Sequence, residues 1–171
     1  KFIASDKSRT GNLDGNPIHK DMEFAAKEAN LAFILNVAID ADKKVIAAFA
    51  GDAFEAHEKG CDFVKNLSAV EGTDADIVIT TNGGYPLDQN IYQSVKSMTA
   101  AEACAKPDGI IIEVSKCNDG HGGESFYQTF KNAKDAKEVE DMILKVKMED
   151  TIADQWESQI LARILVRHQV L

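Results

Sequence analysis

The chain has 171 residues, 44% hydrophobic and 27% charged, which is enough apolar material for one packed α/β core with a small appended unit. Its 19 Lys and Arg stand against 28 Asp and Glu, a net charge of −9, which excludes a nucleic-acid partner because phosphate binders cluster basic side chains. No run reaches the roughly 18 consecutive apolar residues of a membrane span, the start lacks the apolar stretch of a signal peptide, and Cys61, Cys104 and Cys117 read as reduced thiols, so a cytoplasmic protein off the membrane is expected.

Residues 1–17 carry turn formers and no sustained period, and are expected to be an irregular lead-in from an upstream domain. Ile18, Met22, Ala25, Ala26 and Ala29 recur at helical spacing, so a short helix is expected from Ile18 to Asn30. Two apolar runs, Ala32 to Ile39 and Val45 to Ala50, are joined by the polar stretch Asp40 to Lys44 and predict a β-hairpin. Gly51-Asp52 then supplies a turn and N-cap for a helix from Ala53 to Leu67. Residues 18–70 are thus expected to form a helix, hairpin and helix linking two domains.

Residues 71–171 are expected to be an α/β domain. Strands are predicted at Asp76 to Thr80 and Gly109 to Val114, with a crossover helix from Asp88 to Ala105 that makes them parallel. Helical patterns follow at Glu124 to Phe130, Ala136 to Lys147 and Thr151 to Arg167. The fold class is therefore α/β, a layered, Rossmann-like mixed or parallel sheet flanked by helices. The chain opens on Lys1 and closes on Leu171 with an amphipathic pattern still running, so both ends are expected to be cuts through a longer, two-domain polypeptide.

In such sheets the working surface is the carboxyl edge of the strands. Two loops fall there, Thr81-Asn82-Gly83-Gly84-Tyr85-Pro86 and Ser115-Lys116-Cys117-Asn118-Asp119-Gly120-His121-Gly122-Gly123. Gly83-Gly84 lets the backbone approach a ligand or simply makes the turn; Pro86 and Asp88 are expected to start the next helix, whose N-terminus would favour an anion. On that helix Gln93 and Lys96 are three apart, and Tyr92 is four from Lys96, so an amide, an ammonium and a phenol share one region. An ammonium supplies charge for a carboxylate and an amide fixes its orientation, although a solvated helix face explains the same spacing.

The stretch Asp76-Ile77-Val78-Ile79-Thr80-Thr81-Asn82-Gly83-Gly84-Tyr85-Pro86-Leu87-Asp88-Gln89-Asn90-Ile91-Tyr92-Gln93-Ser94-Val95-Lys96 resembles the C-terminal part of the nickel-pincer lactate racemase family. The resemblance continues through Gly109-Ile110-Ile111-Ile112 and Cys117-Asn118-Asp119-Gly120-His121-Gly122, and upstream through Gly11 to Pro17 and Phe49-Ala50-Gly51-Asp52. It implies an isomerase that racemises a small 2-hydroxyacid by reversible hydride transfer at C2 to a nickel-pincer nucleotide. It also implies that this cofactor, with the acid and base histidines, belongs to an N-terminal domain of the same polypeptide. None is expected on this chain, which alone would be inactive. By the same resemblance Gln93 and Lys96 would hold the substrate carboxylate as the catalytic pair, with Tyr92, Gly83 and Gly84 beside them and Trp156 closing over the pocket; apart from the resemblance, Trp156 reads as a core anchor.

No metal ligand is assigned here. His19 reads as a surface residue, His57 as packed in its helix and His168 as uninformative, while His121 is the one histidine near the presumed active edge. Two readings stay open: the substrate side of a racemase, or a non-catalytic Rossmann-like module holding a phosphate or other anion at Gly83-Gly84 and the helix start.

Overall fold

The computed structural model describes residues 2–171 and divides them into two compact units, Phe2–Glu71 and Gly72–Leu171. In the first unit residues 2–16 run through successive turns and end at Asn16, whose side chain accepts from the Ile18 amide at 3.0 Å and caps α1 (Pro17–Glu28). Pro17 suits the first helical turn because its missing N–H would have had no helical partner anyway. The hairpin β1 (Ile34–Ile39) and β2 (Val45–Gly51) is antiparallel, and the Asp40 carboxylate closes its turn by accepting from the amides of Asp42 and Lys44, both at 2.9 Å. Asp52 caps α2 (Ala53–Ser68) by accepting from Phe54 and Glu55 at 2.9 and 3.1 Å. This helix packs on the hairpin through Phe63 and Phe49, with ring centroids 5.5 Å apart. His19 differs from its surface reading: its ring stacks on His57 at 5.5 Å, so it is partly covered.

The second unit is a three-stranded parallel sheet, ordered β3 (Ala75–Thr80), β4 (Ala105–Glu113) and β5 (Gln169–Val170). Between β3 and β4 runs α3 (Ile91–Glu102), and α4 (Glu124–Lys131), α5 (Ala136–Lys145) and α6 (Gln155–Arg167) follow β4. The sheet makes this the expected α/β class. The strand β4 starts four residues before its expected place, at Ala105, which pairs with Ala75; Pro107, which has no amide to donate, lies in the irregular stretch before pairing resumes at Ile77 and Ile110. Gly109 is required where the chain returns to register, since a Cβ there would stand 2.8 Å from the Lys106 carbonyl oxygen. The pairing of β5 was not expected; two residues are too few to carry a period.

Helices α3 and α6 cover one face of the sheet. Val95, Met98 and Ala101 of α3 meet Ile111 of β4, Phe126 of α4 and Leu161 and Ile164 of α6, with Val78 at the margin. On the other face Ile77 and Ile79 are 56% and 70% exposed, so within this unit β3 is covered on one side only, unlike the buried strand its apolar run suggests. A second cluster, Val139, Ile143 and Ala162, joins α5 to α6. The half-buried Glu102 carboxylate is matched by Arg163, at 3.0 Å from Nε with a second bond of 2.5 Å from the guanidinium, which ties α3 to α6. Among the described residues no helix is long and apolar enough to cross a membrane.

Candidate functional site

The loop after β3 turns through Gly83 and Gly84 at φ +79° and +84°, a left-handed conformation that only glycine adopts without strain. A Cβ at Gly84 would meet nothing within 4 Å, so backbone conformation and not crowding demands the residue. The Gly84 carbonyl accepts from the amides of Leu87 and Asp88 at 2.8 and 3.2 Å, closing the bend. From this loop Asn82 reaches across to α3: its amide nitrogen donates to the Gln93 carbonyl oxygen at 2.9 Å and also to that of Leu87. The diglycine bend is thereby fixed to the helix turn that carries Gln93.

Helix α3 starts three residues later than expected. Asn90, not Asp88, is its N-cap, accepting from the Gln93 amide at 3.0 Å and donating from Nδ2 to Asp119 at 3.1 Å. The Ile91 and Tyr92 amides donate to the carbonyls of Gly120 and His121 at 3.0 and 3.2 Å. The first three amides of α3 are therefore satisfied inside the fold, and the helix start offers them to no external anion. Gly122 is needed for this junction: φ is +88°, and an added Cβ would lie 2.5 Å from Cγ of Asn90. Asp88 instead ties the two loops together, accepting at its carboxylate from the Lys116 amide at 3.3 Å and at its carbonyl from that of Cys117 at 2.9 Å.

On the first two turns of α3 the Lys96 ammonium donates to Oε1 of Gln93 at 2.5 Å. Lys96 is exposed and Gln93 half-buried. Because the bond uses the amide oxygen, the Gln93 NH2 group and the remaining ammonium protons stay available as donors, a combination suited to a carboxylate. Tyr92, one residue earlier, packs its ring edge-on against Phe126 at 5.5 Å and Trp156 at 6.1 Å. Its hydroxyl donates to Asp154 at 3.0 Å, and burial together with that carboxylate pushes the phenol up to about 12. Trp156 is 42% exposed, so it is not the core anchor that its bare position suggests; it stands at the surface beside Tyr92.

Sequence reading missed four contributors: Asn82, Asn90, Asp154 and Glu157. Asp154 holds φ +63° just before α6, which therefore starts at Gln155 and not at Thr151. Glu157, on the first turn of α6, is 1% exposed and its Oε1 has no hydrogen-bond partner. Burial pushes its carboxyl up to about 7, with Lys96 pulling it down and Asp154 raising it further. His121 stacks on Tyr127 with centroids 4.4 Å apart and planes 12° from parallel, and it joins α3 through its backbone carbonyl.

Residues 70–171 match the family described as the lactate racemase C-terminal domain. The whole chain is 58% identical to the lactate racemases of Thermoanaerobacterium thermosaccharolyticum and Lactiplantibacillus plantarum, and it spans 40% of the length of each. A solved structure, that of the lactate racemase apoprotein from Thermoanaerobacterium thermosaccharolyticum, superposes with a TM-score of 0.95 over 99% of this chain and 40% of that one, at 58% identity. With a family match over more than half its length and an observed fold in agreement, the chain belongs to the lactate racemase family.

Proposed function

We propose that this chain is the substrate side of a 2-hydroxyacid racemase, and that Gln93 and Lys96 hold the substrate's carboxylate. The observation that carries this reading is the Lys96 to Gln93 bond at 2.5 Å on an accessible helix face, which preorganises one charged and one neutral donor for a single acceptor group. Tyr92 and Trp156 would wall that position with apolar ring edges, and Gly83-Gly84, pinned to the same helix turn by Asn82, would border it. In the full-length protein a nickel-pincer group on the remaining polypeptide would supply hydride acceptance at C2. The donors gathered here suit an anion and not a metal, and among the described residues no three His, Cys, Asp or Glu side chains form a group able to hold one. The chemistry assigned to this chain is therefore binding and orientation, in a cytoplasmic enzyme whose small hydroxyacid meets the rest of the same polypeptide.

The alternative, a phosphate-binding module, is disfavoured by the occupied amides at the start of α3. The test is Lys96→Ala in the full-length, cofactor-loaded protein. Racemisation of a 2-hydroxyacid should drop at least about tenfold, the order expected for losing one charge-assisted hydrogen bond, with nickel content unchanged. Undiminished turnover would remove the role given to Lys96.

A further inference from the structure

Polar side chains join α3 to α6 at two places. At one, Arg163 gives two bonds to the Glu102 carboxylate at the end of α3. At the other, the Tyr92 hydroxyl near the start of α3 donates at 3.0 Å to Asp154, the residue just before α6. Between the two ties Val95, Met98 and Ala101 share a core with Leu161 and Ile164. The second tie is made at local expense. Asp154 occupies the N-cap position of α6 at φ +63°, a left-handed conformation that strains a residue with a Cβ, and its side chain makes no cap bond to the helix. An aspartate at that position ordinarily accepts from an amide of the first turn. Here only its backbone carbonyl serves the helix, accepting from the Glu157 amide at 3.1 Å, and the carboxylate turns to the phenol. A side chain that forgoes its cap in a strained conformation, and holds a group on another helix, is placed for that group.

We propose that Asp154 is a positioning residue that sets substrate size: by holding the Tyr92 hydroxyl it keeps that ring against Trp156, and the two rings limit the room for the substituent on C2 of the hydroxyacid. This rests on the reading of Gln93 and Lys96 given above. Tyr92 precedes Gln93 in α3 and stands one helical turn from Lys96, so a wall built on its ring lies beside the grip. The ring is held at three points: edge-on by Phe126 at 5.5 Å, edge-on by Trp156 at 6.1 Å, and at its hydroxyl by Asp154. Trp156 follows Asp154 and Gln155 in the chain, so the carboxylate that fixes the phenol also fixes where the indole meets α3. Burial and that carboxylate push the phenol up to about 12, so it remains a donor at neutral pH. The Glu102 tie and the apolar contacts between the helices do not involve Asp154, so cutting its bond leaves the helix pair assembled and frees the two rings.

The test measures kcat/KM for lactate and for 2-hydroxybutanoate, which is one methylene longer, in the full-length, cofactor-loaded protein. Asp154→Gly removes the carboxylate and suits the left-handed backbone, Tyr92→Phe removes the hydroxyl, and Asp154→Asn keeps an acceptor on a residue that tolerates that conformation. The unaltered protein and Asp154→Asn should prefer lactate. That preference should fall about fivefold in Asp154→Gly and in Tyr92→Phe, part of what one methylene is worth in a fitted pocket. The double variant should fall no further than either single one, because both remove the same bond. A preference unchanged in Asp154→Gly, or two falls that multiply in the double variant, would overturn the proposal. Should Asp154→Gly fail to fold, the other two decide: a fall in Tyr92→Phe with the preference kept in Asp154→Asn is expected, and any other pattern overturns the proposal. Lys96→Ala should raise KM for both acids alike. Unchanged KM in that variant would refute the grip itself, so the two failures are distinct.

Discussion

Replacing Glu157 with glutamine should make the protein more stable at pH 8 and leave its stability nearly unchanged at pH 4.5. In the unfolded chain this carboxyl loses its proton near 4.5, and in the fold it keeps it to about 7. A group whose folded value lies above its unfolded one contributes stability fully present below pH 4.5, diminishing as pH climbs toward 7 and gone above it. The span from 4.5 to about 7, at about 1.4 kcal/mol per pH unit, amounts to about 3 kcal/mol. The residue is 1% exposed, so screening by water removes little of this. Glutamine keeps the shape and has no charge to bury, so its advantage over glutamate should grow by roughly 3 kcal/mol across that window. Trp156 sits next to the substitution, so fluorine NMR of 5-fluorotryptophan introduced site-specifically at this position follows urea unfolding locally in the full-length protein. Equal differences in midpoint at both pH values would refute the burial argument.

Asn90→Ala should cost about 1–2 kcal/mol, because it removes the cap of α3 and the bond to Asp119 together; thermal melting of the full-length protein measures it, and no loss would mean that other groups close the helix. Ile111→Ala empties the centre of the sheet core at a residue that is 0% exposed, so a loss of about 3–4 kcal/mol is expected in the same assay. A loss below about 1 kcal/mol would show that the sheet relaxes into the vacancy.

The parts of this fold that were legible in the sequence are those with a repeated period or a capping side chain. The hairpin, α2 with its Asp52 cap, and the β3–α3–β4 order all follow from runs long enough to show their spacing. The spacing of Gln93 and Lys96 likewise fixed that they share a face, and it did so without tertiary information. Boundaries failed where a single side chain decided them: Asn90 with Gln93 three residues on is an N-cap pattern as good as Asp88, and which one caps depends on the loop at Asp119–Gly122. Glu157 was illegible for a different reason. The helix expected from Thr151 to Arg167 gives no sign that the Glu157 carboxyl is buried. Asp154 takes a left-handed conformation and gives its carboxylate to Tyr92, leaving Glu157 turned inward.

The grip is tested most directly by comparing a carboxylate with its uncharged amide as competitive inhibitors of the full-length protein. If the ammonium of residue 96 recognises charge, the unaltered protein should prefer a short-chain carboxylate over the matching amide at least about tenfold, and Lys96→Ala should bring that ratio close to one. A ratio that survives the substitution intact would contradict the assignment.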